Sequence, residues 1–215
     1  MKMKKTELVF ILDRSGSMSG LEEDTIGGYN SMLSKQKKEV GEAIVTTVLF
    51  DDEYEVIHDQ VDIKQIKPLT EKQYFVRGST ALLDAVGISI SKTISTTKNT
   101  NKKDQASKVM FVIITDGMEN ASSEYNYKKV KSLIDRQSER YNWEFVFLGA
   151  NIDAVETASK FGISSDRAVT YHSDSVGTKL NYEVVSELIA DIRMEKKVDI
   201  NWKQKIEEDF KSRSK

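Results

Sequence analysis

Residues 109–114 (VMFVII) form an unbroken apolar run. A strand with one face in water alternates polar and apolar residues. A continuous run of this length is instead a strand covered on both faces, as in a parallel sheet packed between helices.

The rest of the chain supplies matching parts. Residues 8–12 (LVFIL) read as a first strand, and 21–40 as a helix with Ile26, Tyr29, Met32 and Leu33 on one face. Residues 43–50, rich in β-branched side chains, read as a second strand. The turn Asp51-Asp52-Glu53 then leads into a more polar edge strand at 54–60, making a hairpin. Pro68 lies in the connector that follows. Residues 81–94 return to helical spacing through Leu82, Val86, Ile90 and Ile94, whereas 96–107 (TTKNTNKKDQAS) are polar and aperiodic, a solvated loop. Beyond the central strand the pattern predicts a helix at 127–140, a strand at 143–148, a helix at 154–161, a short strand at 168–171 and a helix at 178–193. This alternation predicts a doubly wound, three-layer α/β/α, Rossmann-like fold. Its central sheet is mainly parallel, with one antiparallel edge strand. The expected domain is 1–193. Residues 194–215 form a charged, helical extension in which Trp202, Ile206 and Phe210 recur every fourth residue, as a docking helix or a frayed amphipathic end.

Composition narrows the function classes. A net charge of −2 gives no pull toward nucleic acid or a membrane surface. The absence of cysteine excludes disulfides, thiol catalysis and Cys-containing zinc sites. His58 and His172 are the only histidines, which leaves little for His-based metal or acid–base chemistry. The basic start Met1-Lys2-Met3-Lys4-Lys5 precedes an apolar run too short for a signal-peptide core. No stretch approaches the roughly 20 apolar residues of a membrane helix. The expectation is a cytoplasmic protein, and Asn120-Ala121-Ser122 is read as no glycosylation site.

In an open parallel sheet, ligands bind beyond the carboxyl ends of the strands, where strand order reverses. Three features converge there. Asp13, Ser15 and Ser17 leave the first strand in "LDRSGSM", Asp116 leaves the central strand in "VIITDGMEN", and Thr80 precedes a helix in "RGSTALLDA". Two carboxylates and three hydroxyls are hard oxygen ligands, suited to a small octahedral cation such as Mg²⁺ or Mn²⁺. Gly16 and Gly117 allow sharp turns beside them. Each piece alone has a plainer reading. Ser17 or Ser19 would cap a helix, Thr80 would cap the helix starting at Ala81, and Asp116 before Gly would form a turn. Ser15 as a nucleophile lacks Gly-x-Ser-x-Gly and has only His172 as a candidate base. No phosphate-loop motif is present. A phosphoaspartate at Asp13 would want a second acid close by and a lysine, where this chain has serines.

Asp13-x-Ser15-x-Ser17, then Thr80, then Asp116 in a Thr-Asp-Gly context resembles the metal-ion-dependent adhesion site (MIDAS) of von Willebrand factor A (vWA) domains over roughly residues 6–193. The resemblance implies Ser15 and Ser17 as direct ligands, Thr80 as a direct or water-mediated one, and Asp13 and Asp116 acting largely through water. It implies Mg²⁺, or Mn²⁺ or Ca²⁺ in its place, with an open position taken by a Glu or Asp of a protein partner. It also implies a C-terminal helix, here 178–193, that can shift. The expectation is therefore a non-enzymatic, cation-dependent interaction module. The alternative is a Mg²⁺-dependent hydrolase or phosphotransferase using Asp13 or Asp116. Arg14 and Met18 are expected at the rim where a partner would sit. Asp51, Asp52, Asn151, Asp153, His172 and Asp174 are expected as solvated residues of the same edge.

Overall fold

The computed structural model describes residues 5–214; Met1–Lys4 of the basic start and the terminal Lys215 lie outside the described residues. Six strands form one sheet: β1 (Thr6–Asp13), β2 (Ala43–Phe50), β3 (Tyr54–Asp62), β4 (Lys108–Thr115), β5 (Glu144–Ala150) and β6 (Ala168–Tyr171). Their order is β3-β2-β1-β4-β5-β6. Every pairing is parallel except the β2–β3 edge hairpin, as expected.

Side-chain alternation along the inner strands divides the core in two. Leu8, Phe10 and Leu12 of β1, with Met110, Val112 and Ile114 of β4, face helices α1 (Glu22–Gln36), α5 (Ser175–Arg193) and α6 (Gln204–Arg213). Val9 and Ile11, with Phe111 and Ile113, face α2 (Leu82–Asn99), α3 (Tyr127–Tyr141) and α4 (Ala154–Lys160). Both faces of β4 are thus buried, which is why its sequence does not alternate. β1 leads outward to β2 and β3, and the chain then returns to place β4 on the other side of β1. Strand order reverses between β1 and β4.

The elements differ from expectation at their ends. α2 runs on to Asn99, into the segment expected as loop. Gln105 Nε2 donates to the carbonyls of Thr97 and Thr100 at 2.8 and 2.9 Å, closing orphan acceptors of the last turn. α5 begins at Ser175, because the Asp174 side chain accepts the Gly177 N–H at 2.8 Å and starts the helix early. α1 ends at Gln36, and the chain leaves through Gly41 at φ 104°.

The tail is a docked helix rather than a frayed end. Ile206 is buried, and Trp202 Nε1 donates to Asp166 O at 2.7 Å. Lys203 Nζ donates to the carbonyls of Ser165 and Ala168. α6 thereby lies along β6, covering an edge strand that would otherwise offer unpaired backbone groups. Among the described residues no helix is long and apolar enough to cross a membrane.

Candidate metal centre

Beyond Asp13, β1 turns into a short 3-10 stretch over Gly16–Met18. The Asp13 carboxylate makes the turn: Oδ1 accepts the Ser15 N–H at 2.7 Å, and Oδ2 accepts the Thr115 hydroxyl at 2.5 Å. The backbone carbonyl of Asp13 accepts the Tyr74 hydroxyl. In this conformation Ser15 Oγ and Ser17 Oγ are 3.0 Å apart, and Thr80 donates its hydroxyl to Ser15 Oγ at 3.0 Å. Three hydroxyls from two distant segments therefore pool beside Asp13.

Asp116 follows β4 on the same edge. Ser173 donates to its Oδ2 at 3.1 Å, while its Oδ1 is buried and has no hydrogen-bond partner. A buried carboxylate oxygen with no donor is costly and calls for a cation or water. Gly117 keeps the space open: a Cβ there would lie 2.8 Å from Thr80 Oγ1 and 2.9 Å from Ser17 Oγ. All five sequence-predicted residues thus sit at the switch point between β1 and β4. All but Ser17 are almost fully buried.

The electrostatics match a cluster short of positive charge. Burial pushes the Asp13 carboxyl up to about 6, against the hydrogen bonds of Thr115 and Ser15, and neighbouring Asp116 adds to the rise. Burial also raises Asp116, which the facing Ser17 and Ser173 hydroxyls partly offset. Among the described residues no three or more His, Cys, Asp or Glu gather to hold a metal. A cation here would rest on hydroxyl as much as on carboxylate oxygens, a donor set of hard ligands.

Several neighbours are placed differently from expectation. Arg14 and Met18 are not rim residues, being 0% and 1% exposed. Arg14 turns inward, donating from Nε to Asp51 Oδ2 at 2.8 Å and from Nη1 to Glu55 Oε2 at 2.6 Å. Met18 is the buried apolar residue that ends the 3-10 turn. Asp51 is fully buried rather than solvated, because it also takes Arg77 Nε at 2.8 Å. Burial pushes Asp51 up, but the bonds from Arg77, the Glu53 N–H and Arg14 outweigh it and hold the carboxyl below its ordinary value. Thr80 is not a cap: α2 has no side-chain cap, and the Thr80 N–H goes to Asn120 Oδ1. His172 is stacked on Phe210, and Ser15 Oγ is bonded to Ser17 and Thr80. Asp52, Asn151 and Asp153 are exposed as expected, and the large apolar side chains that reach the surface nearby include Met118, 73% exposed, and Val176, 58% exposed.

Supporting residues escaped the sequence reading. Thr115 is the one hydroxyl at the end of an otherwise apolar strand, and that change of character was its only signal. Glu119 accepts the Leu83, Ala121 and Ser122 N–H groups, and Asp84 accepts those of Ser123, Glu124 and Tyr125. Together they pin the loop after Asp116 to the start of α2. An acidic residue in a polar loop and one in the first turn of a helix carried no mark of that role.

No family model matches the sequence, and no curated protein matches it. Among solved structures, the fold is similar to proximal thread matrix protein 1 from the mussel byssus (TM-score 0.58, 15% identity, 87% of this chain and 46% of that one). A further structure of that protein has a zinc-occupied MIDAS motif. The fold is also similar to a von Willebrand factor type A protein from Catenulispora acidiphila (TM-score 0.55, 12% identity, 86% and 42% covered). A third likeness is to the pilus adhesin SpaC from Lactobacillus rhamnosus GG in its open conformation (TM-score 0.63, 11% identity, 89% and 31% covered). This chain spans less than half the length of each. At these identities the likeness establishes a vWA-like α/β fold.

Proposed function

We propose that this vWA-like domain is a divalent-cation-dependent protein-interaction module. Asp13, Ser15, Ser17, Thr80 and Asp116 would hold Mg²⁺, or Mn²⁺ or Ca²⁺ in its place, and a partner protein would bring a Glu or Asp to it. The observation that carries this reading is Asp116 Oδ1, a buried carboxylate oxygen with no partner, beside three pooled hydroxyls. Bound there, the cation would supply the positive charge that two buried carboxylates lack, and an acceptor site for a partner's carboxylate. The chain's own part is to orient the donors. Thr115 and the Ser15 N–H fix Asp13, Asn120 fixes Thr80, and Ser173 fixes Asp116.

The competing reading, a Mg²⁺-dependent hydrolase or phosphotransferase using Asp13 or Asp116, asks for a lysine or histidine facing the carboxylates. His58 is bonded to Thr47, and His172 is engaged by Phe210. No observation at the site favours that chemistry over binding.

Titration calorimetry with Mg²⁺ and with Mn²⁺ tests the proposal. Wild type should bind one ion, and Asp13→Ala and Asp116→Ala should lose it while keeping the native circular dichroism spectrum. Equal affinity in wild type and Asp13→Ala would overturn the assignment. Turnover of generic phosphoesters that vanishes in Asp13→Asn would favour the enzyme.

A further inference from the structure

α6 does more than cover the edge of β6. Trp202, Lys203 and Ile206 already do that, through bonds to the 165–168 segment and burial in the core. The last turn continues past the strand to the metal edge. Phe210 stacks on His172 with ring centroids 4.6 Å apart, and the Phe210 carbonyl accepts from His172 Nε2 at 3.1 Å. Arg213 Nη1 donates to Asp174 Oδ2, and its Nη2 holds Asp209 one turn back at 2.5 Å.

Between the two residues that α6 grips stands Ser173, the donor to Asp116 Oδ2. Asp174 in turn caps α5. Three consecutive residues therefore bond α6 on one side, and Asp116 and α5 on the other. The turn that joins them is tight. Asp174 N donates to His172 O at 2.9 Å, and a Cβ on Gly177 would come within 2.2 Å of that same carbonyl.

We propose that α6 is a strap that positions Asp116 for the cation, with Phe210 and Arg213 as positioning residues acting through the 172–174 turn. The inference rests on the metal reading above. With the strap in place, Ser173 holds one oxygen of Asp116 and leaves Oδ1 as the free donor. With the strap released, Ser173 withdraws and the carboxylate loses its fixed orientation, so cation binding must bear the ordering entropy. The coupling is reciprocal: a bound cation stabilises the docked α6 by the same factor.

The test compares wild type, Asp174→Asn, the double variant Phe210→Ala/Arg213→Gln, and Lys205→Gln. Asp174→Asn keeps an oxygen for the α5 cap but loses the charge pair. Lys205→Gln removes an ion pair between α6 and Glu187 that does not touch the turn. In metal-free protein, hydrogen exchange at 172–174 and at 116–118 should rise together in the double variant, and less in Asp174→Asn, with the control unchanged. Mg²⁺ affinity should weaken about five-fold or more in the double variant. Mg²⁺ should slow exchange across α6 in wild type. Exchange at 116–118 that stays at the wild-type rate while 172–174 loosens overturns the proposal, as does equal Mg²⁺ affinity. If wild type itself takes up neither Mg²⁺ nor Mn²⁺, the metal reading fails. The coupling of α6 to Asp116 then stands or falls on exchange at 116–118.

Discussion

Thr115 of β4 donates its hydroxyl across to Asp13 Oδ2 at 2.5 Å, one position beyond the Leu12–Ile114 register pair. This bond ties together the two strand ends that flank the switch point, and it spends one Asp13 oxygen on orientation. Thr115→Val keeps the shape and the strand preference but leaves that buried oxygen unsatisfied. The variant should be destabilised by about 1–3 kcal/mol in urea titration. Calorimetry should show weaker Mg²⁺ binding, because Asp13 is no longer aimed. Unchanged affinity would mean that Asp13 needs no help from β4.

Gly117→Ala tests the space among the donors. The added methyl would sit inside contact distance of both Thr80 Oγ1 and Ser17 Oγ, so one of the two hydroxyls must move. The clash falls on two hydroxyls of the site rather than on a side chain of either core cluster. The change should therefore weaken Mg²⁺ binding by roughly ten-fold, about 1.4 kcal/mol, with a smaller loss of thermal stability. A variant that binds normally would place the cation away from these hydroxyls.

Much of this was legible in the chain, for a physical reason. β1 and β4 are buried on both faces, so their composition announces them, and a short polar motif at the end of a buried strand must lie at a sheet edge. Arg14 could not be read the same way. Its burial depends on Asp51 and Glu55, which reach it only once β2 and β3 fold beside β1, and nothing local to "LDRSGSM" marks a buried cation. Ser173 was equally silent, because its role exists only when the turn before α5 meets the end of β4. Periodicity extended α2 too little, since its last turn is held by Gln105 from outside the helix.

Arg14 gives a sharp stability test. Its side chain is fully buried and bridges Asp51 to Glu55, and Asp51 in turn holds Arg77. Removing Arg14 leaves the buried Asp51 carboxylate with Arg77 as its remaining cationic partner, a buried charge only partly compensated. Arg14→Met should cost up to about 3 kcal/mol in denaturant unfolding, the lower end of what an uncompensated buried charge costs, because Arg77 still pairs with Asp51. The loss should be smaller in Asp51→Asn/Arg14→Met, where no buried anion is left behind. Arg14→Lys should not restore wild-type stability, because one ammonium cannot reach both carboxylates with the fork that guanidinium offers. A double variant as unstable as Arg14→Met alone would argue that packing, not charge, is what the site loses.

Glu7, on β1 away from the metal edge, sets a pH dependence of its own. The side chain is 3% exposed and is pushed up to about 7 by burial, against the hydrogen bond from Gln60 Nε2 at 3.1 Å. Asp59 adds to the rise, and Lys5 opposes it. An unfolded chain releases this proton near its ordinary value of about 4.5, so the folded state binds the proton more tightly. The resulting stability is fully present below about 4.5, declines as pH rises, and is spent above about 7. At about 1.4 kcal/mol per unit the whole swing is at most ~3.5 kcal/mol. Urea midpoints for wild type should therefore fall as pH rises from 5 to 7.5, an interval that covers most of this window and ends just above it. Glu7→Gln keeps a neutral partner for Gln60 and removes the titration. Its midpoint should fall less steeply than that of wild type over that interval, the remaining decline belonging to the raised Asp13 and Asp116 carboxyls, and should exceed that of wild type at pH 7.5. A Glu7→Gln curve that falls as steeply as wild type would assign the pH dependence to other carboxylates.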